Sequence, residues 1–175
     1  MKYIGPDFCN ITSLLTDEEL LIQKTANQFV AEEFNPIVNE YYEKGSFPLD
    51  LISKMGELGF FGATLPKKYG GSEITSTAYG LIMQELEKGD SGLRSVCSVQ
   101  GSLVMFPIYQ YGTDKQKDKW LPLLAAGKAV GCFGLTESNH GSDPAGMLTR
   151  AKRDGDDWII NGSKMWITNG SIADI

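Results

Sequence analysis

Residues Phe133 to Asp143, FGLTESNHGSD, bring hydroxyls, two carboxylates, an imidazole and glycines into one short stretch. Such a segment can turn backbone amides and short donors toward an electron-rich ligand without net positive charge. A turn in which the same side chains bond their own backbone is the plainer alternative. It is not a P-loop, because no lysine follows the second glycine. Further along, Trp166-Ile167-Thr168-Asn169 reads as strand, with a flat ring and a hydroxyl at neighbouring positions. A planar cofactor could stack beside that ring and accept a bond from Thr168, although aromatic residues in strands usually belong to a core.

Charge gathers at Glu85, Glu87, Lys88, Asp90 and Arg94, by default a solvated helix face. Arg94 stands apart, because it follows Ser91-Gly92 and precedes the uncharged run Ser95 to Leu103. It could be the one cation guarding an apolar cleft, where a guanidinium grips a carboxylate in bidentate fashion. His140 is the only histidine and makes no metal site alone; its loop position suggests a solvated ring, with a catalytic base as the lesser alternative. Cys9, Cys97 and Cys132 are odd in number and far apart, which suggests neither zinc nor a disulfide framework and fits a reducing compartment.

Sixteen basic against 22 acidic residues leave a net charge of −6, which repels a phosphate backbone and argues against nucleic acid as the partner. No apolar run approaches the ~20 residues of a membrane span, and neither a signal nor a transit peptide is visible, so membrane insertion is not expected. The expectation is a soluble protein of the cytoplasm, or of the mitochondrial matrix in a eukaryote.

The elements that position these residues begin with a helix at Thr16, where Thr16 and Glu19 form a capping box. Ile22, Ala26, Phe29 and Val30 share one face; Pro36 ends or kinks the helix, and 37–44 resumes it. A second helix spans Pro48 to Leu58, with Leu51, Met55 and Leu58 inward and Gly59 closing it. The segment LPKKYGG is a loop. Ala78, Leu81, Ile82 and Leu86 give a third helix ending at Gly89, and Val99, Leu103 and Phe106 a fourth, kinked by Pro107. Thr113 and Gln116 cap another helix that stops at Gly127.

At Ala129 the pattern changes. Val130 to Thr136 reads as a buried strand, and Asp154-Gly155 and Asn161-Gly162 as two hairpin turns. The fold class expected is therefore α+β, with a helical domain at 1–128 and part of an antiparallel β domain at 129–175. Sheet edges left unpaired at Ile175 suggest a piece of a longer protein.

LPKKYGG, QELEKGDSG, YGTDKQKDKWLPLLAAG, FGLTESNHGSD and NGSKMWITNG together resemble the acyl-CoA dehydrogenases in order and spacing over nearly the whole chain. The run from Leu93 to Gln100 and SLVMFPIYQYG look most like the glutaryl-CoA dehydrogenase branch. The resemblance implies a helical domain, a middle β domain and a carboxy-terminal helical bundle, FAD as cofactor, an acyl-CoA substrate, an electron-transfer flavoprotein or other acceptor, and a homotetramer. It places Phe133, Leu135, Thr136, Gly141 and Ser142 along the flavin, with Trp166, Ile167 and Thr168 flanking the ring. Ser142 would also meet the CoA portion. Arg94 and Ser95 would receive a distal carboxylate, with Glu87 and Ser98 near it. The family's base is a glutamate, carried in the glutaryl branch on the carboxy-terminal bundle, so no catalytic residue is expected here and the isolated chain should be inactive and bind FAD weakly. Ser138 and His140 depart from the usual TEPNSGSD pattern, and the missing proline relaxes the turn. A non-enzymatic acyl-CoA or flavin-binding module, a helical interaction protein and a flavin-dependent monooxygenase are the alternatives.

Overall fold

The computed structural model describes residues 7–175, so the first six residues of the expected helical domain lie outside the described part. Helix α1 (Asp17–Phe29) starts on the capping box: Glu19 N–H donates to Thr16 Oγ1 at 3.2 Å, and Thr16 N–H donates to Glu19 Oε2 at 3.0 Å. Ala26, Phe29 and Val30 are buried along its face. At Val30 the helix widens into a π turn (Val30–Phe34), passes Pro36 in a turn and resumes as α2 (Val38–Lys44). Helix α3 (Asp50–Glu57) buries Leu51, Ile52 and Met55, while Leu58, expected on that face, is 42% exposed; Gly59 follows at φ 72°. LPKKYGG contains a short 3-10 turn (Lys67–Tyr69) closed by Gly70 at φ 84°.

Helix α4 (Ser76–Gly89) packs along α1. The chain breaks at Asp90, whose extended backbone (φ −167°, ψ 140°) leaves its carboxylate free to accept from Gly92 N–H at 2.7 Å. That bond caps α5 (Ser91–Ser98), so Ser91-Gly92 opens a helix rather than breaking one. From α5 the chain runs into a second π turn (Val99–Met105) and then α6 (Phe106–Tyr111). The face expected from Val99, Leu103 and Phe106 is corrected here, since Leu103 and Phe106 are exposed and Val104 and Met105 are buried. A π turn takes more residues than an α turn, so the inward face slips along the sequence. Helix α7 (Asp114–Ala125) carries the second capping box, and Gly127 at φ 65° follows it. These helices share one apolar core that includes Met55, Leu86, Leu93, Met105, Leu121 and Leu124, with Phe29 and Phe60 edge to face at 5.6 Å.

Beyond Val130 lies a two-stranded antiparallel sheet, β1 (Arg150–Asp154) and β2 (Asp157–Asn161), joined through Gly155 and Asp156. The expected α+β order thus holds: helices first, then a small antiparallel sheet. Two expected strands do not form. Residues 130–136 are irregular, because their groups find scattered partners instead of a ladder: Cys132 N–H donates to Ile175 O and Met165 N–H to Thr136 O. No hairpin forms at Asn161-Gly162 either. Trp166 at φ 59° and Asn169 at φ 65° sit in the left-handed region, which a strand excludes.

Candidate cofactor and substrate site

Phe133 and Leu135 are partly exposed (41% and 37%) on the irregular segment leaving the core, and Thr136 is half-buried behind them. The Met165 N–H donates to Thr136 O at 2.8 Å, which brings the FGLTES stretch against the MWITN stretch. Ile167 and Thr168 are half-buried in the following turn, whereas Trp166 is 85% exposed and belongs to no core. A large aromatic residue held at positive φ is costly and is seen where the surroundings fix it. Gly141 and Ser142 lie on the exposed part of the loop.

Glu137, at the centre of the FGLTES stretch and its following loop, anchors this region. It is 7% exposed and accepts from Leu148 N–H at 2.7 Å, Thr149 N–H at 2.9 Å and Lys164 Nζ at 2.9 Å. The nearby Thr149 hydroxyl, the Leu148 amide and the Lys164 ammonium hold its carboxyl well below the usual carboxylate range. Thr149 Oγ1 itself is buried without a hydrogen-bond partner, so the bonds that hold the carboxylate in place come from the Leu148 and Thr149 amides and Lys164. Lys164 Nζ also donates to Leu135 O at 2.9 Å, tying the ammonium to the segment that carries Phe133 and Leu135. The sequence signal was there: a carboxylate directly after the FGLT stretch, with a lysine two residues before Trp166. His140 is half-buried rather than solvated; it lines a hollow of about 190 Å³ with Glu137 and Thr149, and its ring lies over Gly146.

On the helical side, Glu87, Arg94 and Ser98 come together as expected. Arg94 Nε donates to Glu87 Oε2 at 2.6 Å and its Nη1 to Ser98 Oγ at 3.3 Å, while Ser91 Oγ donates to Glu87 Oε1 at 2.7 Å. These bonds hold Glu87 below its usual carboxylate range, with Arg94 the larger influence. Ser95 is half-buried, and its carbonyl accepts from Ser98 Oγ. Arg94 lines neither of the two hollows described. The one on the helical side, about 140 Å³, is lined by Tyr79, Gly101, Ser102 and Phe106 among others, with Tyr79 OH and Ser102 Oγ 3.1 Å apart. Burial raises the Tyr79 phenol.

Glu85 corrects the expectation of a solvated charge run. It is 2% exposed and accepts from Gln23 Nε2, Asn27 Nδ2 and Lys88 Nζ, which bolts α4 to α1. Cys97 is buried and its thiol donates to Phe60 O, with burial pushing the thiol pKa up. Among the described residues no cluster of histidine, cysteine or carboxylate side chains could hold a metal ion. None of their helices is long and apolar enough to cross a membrane.

The chain matches the acyl-CoA dehydrogenase N-terminal domain over residues 16–128 and the middle domain of the same proteins over residues 132–175. It therefore belongs to the acyl-CoA dehydrogenase family. It is 52% identical to glutaryl-CoA dehydrogenase from Mycobacterium smegmatis in complex with FADH2, with a TM-score of 0.93, covering 96% of this chain and 43% of that one. It is 42% identical to "Probable acyl-CoA dehydrogenase YngJ" of Bacillus subtilis strain 168, over 91% of this chain and 42% of the relative. To the mitochondrial short-chain specific acyl-CoA dehydrogenase of Bos taurus it is 34% identical, over 89% of this chain and 38% of the relative. The chain thus spans about two fifths of the length of these relatives.

Proposed function

We propose that the whole protein is an FAD-dependent dehydrogenase that removes hydrogens from the α and β carbons of glutaryl-CoA, with loss of the distal carboxyl as CO2, and passes its electrons to an electron-transfer flavoprotein. The observation that carries the dicarboxylyl substrate is the Arg94 cluster. Glu87 holds Nε and Ser98 meets Nη1, so the guanidinium is oriented before any ligand arrives, and Nη2 has no partner among the described residues. A preset guanidinium with donors to spare suits a carboxylate. The 52% identity to a glutaryl-CoA dehydrogenase, against 34% to the short-chain enzyme of Bos taurus, supports the same choice.

The residues present fit a flavin. Phe133, Leu135 and Trp166 offer exposed apolar and aromatic surface, and Thr136 and Thr168 supply hydroxyls beside it. We assign Phe133, Leu135, Thr136, Gly141, Ser142, Trp166, Ile167 and Thr168 to the cofactor, and Arg94, Ser95, Glu87, Ser98 and Ser142 to the substrate. When bound, FAD supplies the two-electron acceptor for the hydride that leaves the β carbon. Arg94 orients the distal carboxylate, and the Thr136 and Thr168 hydroxyls donate toward the cofactor's polar edge.

Replacing Arg94 with Leu in the whole protein should lower kcat/KM for glutaryl-CoA by roughly 10- to 100-fold, the worth of a charge-assisted bond, and leave butyryl-CoA nearly unchanged. Equal losses on both thioesters would reject the carboxylate role.

A further inference from the structure

Gly131 is held on both sides. Its N–H donates to Gln100 Oε1 at 2.8 Å, and its carbonyl accepts from Asn169 Nδ2 at 3.1 Å. Gln100 belongs to the π turn that continues α5, the helix of Arg94, Ser95 and Ser98. Asn169 directly follows the Trp166 to Thr168 stretch, and Gly131 stands two residues before Phe133. One residue thus joins, through its two flanking peptide groups, the helix of the substrate residues to both stretches assigned to the cofactor. Gln100 is 1% exposed, and its Nε2 also donates to Leu124 O at 3.0 Å and Ala129 O at 2.8 Å, which uses every polar group of the amide.

The close approach is built in. A Cβ on Gly131 would sit 2.3 Å from Val104 Cγ1 on the same π turn, so only glycine lets the segment cross there. Asn169 keeps φ 65°, and its Oδ1 is buried without a partner, so the single bond to Gly131 O fixes the amide. A buried amide that ties its own helix to Leu124 of α7 and to the 129–131 segment specifies one arrangement, because any shift of either leaves polar groups unpaired in a dry site.

We infer that Gln100 is a positioning residue: through Gly131 it sets the alignment of the Phe133 to Thr136 and Trp166 to Asn169 stretches relative to the helix that carries Arg94. This rests on the functional reading above for its meaning, but not for its test.

Amide hydrogen exchange, resolved by residue, is compared in the whole protein and in its Gln100→Met and Gln100→Glu variants. Methionine keeps the length and loses every hydrogen bond; a glutamate, protonated in that dry site, keeps an acceptor for Gly131 N–H. In Gln100→Met the amides of Gly131 and Met165, the latter bound to Thr136 O, should exchange about tenfold faster while those of α1 and α4 stay protected. Gln100→Glu should restore most of the protection at Gly131. Unchanged exchange at Gly131 and Met165 overturns the inference, as does uniform acceleration across all helices or failure of both variants to fold, because those mark a general core requirement. A separate titration of the whole wild-type protein with FAD, followed by flavin fluorescence, distinguishes the two ideas: absence of binding counts against the cofactor assignment and leaves the exchange result to judge Gln100. Where FAD binds, Gln100→Met should also shift the visible circular dichroism of the bound flavin, a change that lost stability alone does not produce.

Discussion

Buried side chains between Ala26 and Val130 are mostly apolar and form one cluster, whereas those buried beyond Val130 are Glu137 and Asn169. Both strands of the later region are exposed along their whole length, with Trp158 and Ile160 at 62% and 70%. Its order comes from polar tethers: Glu137 to Leu148, Thr149 and Lys164, and Asn169 to Gly131. The helical region is fixed by area removed from water, which is indifferent to direction. The later region is fixed by bonds with direction, which set the angles between the segments they join.

The sharpest way to break this contrast is a core truncation. Phe60→Ala, in a ring that is 2% exposed and packs edge-on against Phe29, should cost about 3–5 kcal/mol by chemical denaturation and melt the helices together. A loss below about 1 kcal/mol would show that this core is loose. Next comes the buried carboxylate that joins α1 to α4. Glu85→Ala should cost about 1–3 kcal/mol in the same measurement, since Gln23, Asn27 and Lys88 lose their shared acceptor.

Acid tests the polar tethers. The folded Glu137 carboxyl lies below its ordinary range, so its contribution is complete above that range and fades as pH falls toward the folded value. Protection of the Leu148 and Thr149 amides should therefore outlast the ordinary carboxylate range and be lost only in stronger acid, whereas Glu137→Gln should weaken it already at neutral pH. Early loss in the unaltered chain would remove Glu137 as the anchor. Smaller still, Thr16→Ala removes one capping box and should cost about 1 kcal/mol, read as a lower thermal midpoint. Ile160→Thr, on the exposed hairpin, should change stability by less than about 0.5 kcal/mol.

Much of the fold was legible because helix ends are local chemistry. Thr16 with Glu19 and Thr113 with Gln116 announced their helices within a single turn, and both capping boxes form. The Asp154-Gly155 turn was legible for the same reason. The grouping of Glu87, Arg94 and Ser98 was an expectation of the family resemblance rather than of periodicity, and in the structure their side chains meet across the break at Asp90. The strand expected at 130–136 did not form, because strands need partners that periodicity cannot supply, and the hydrogen bonds there go to Met165, Asp174 and Ile175 instead. The face through Leu103 and Phe106 was misplaced because a π turn leaves no mark in hydrophobic spacing.

The amino-acid sequence by itself determined the helix starts, the order of helices before sheet and the family motifs, since each depends on residues within a few positions of one another. Only the tertiary structure decided that Glu85 and Glu137 are buried, that Gln100 reaches Gly131 and that Trp166 stands in solvent. Burial and long-range pairing belong to segments that meet after the chain has closed, as Gln23 meets Glu85 across 62 positions and Gln100 meets Gly131 across 31.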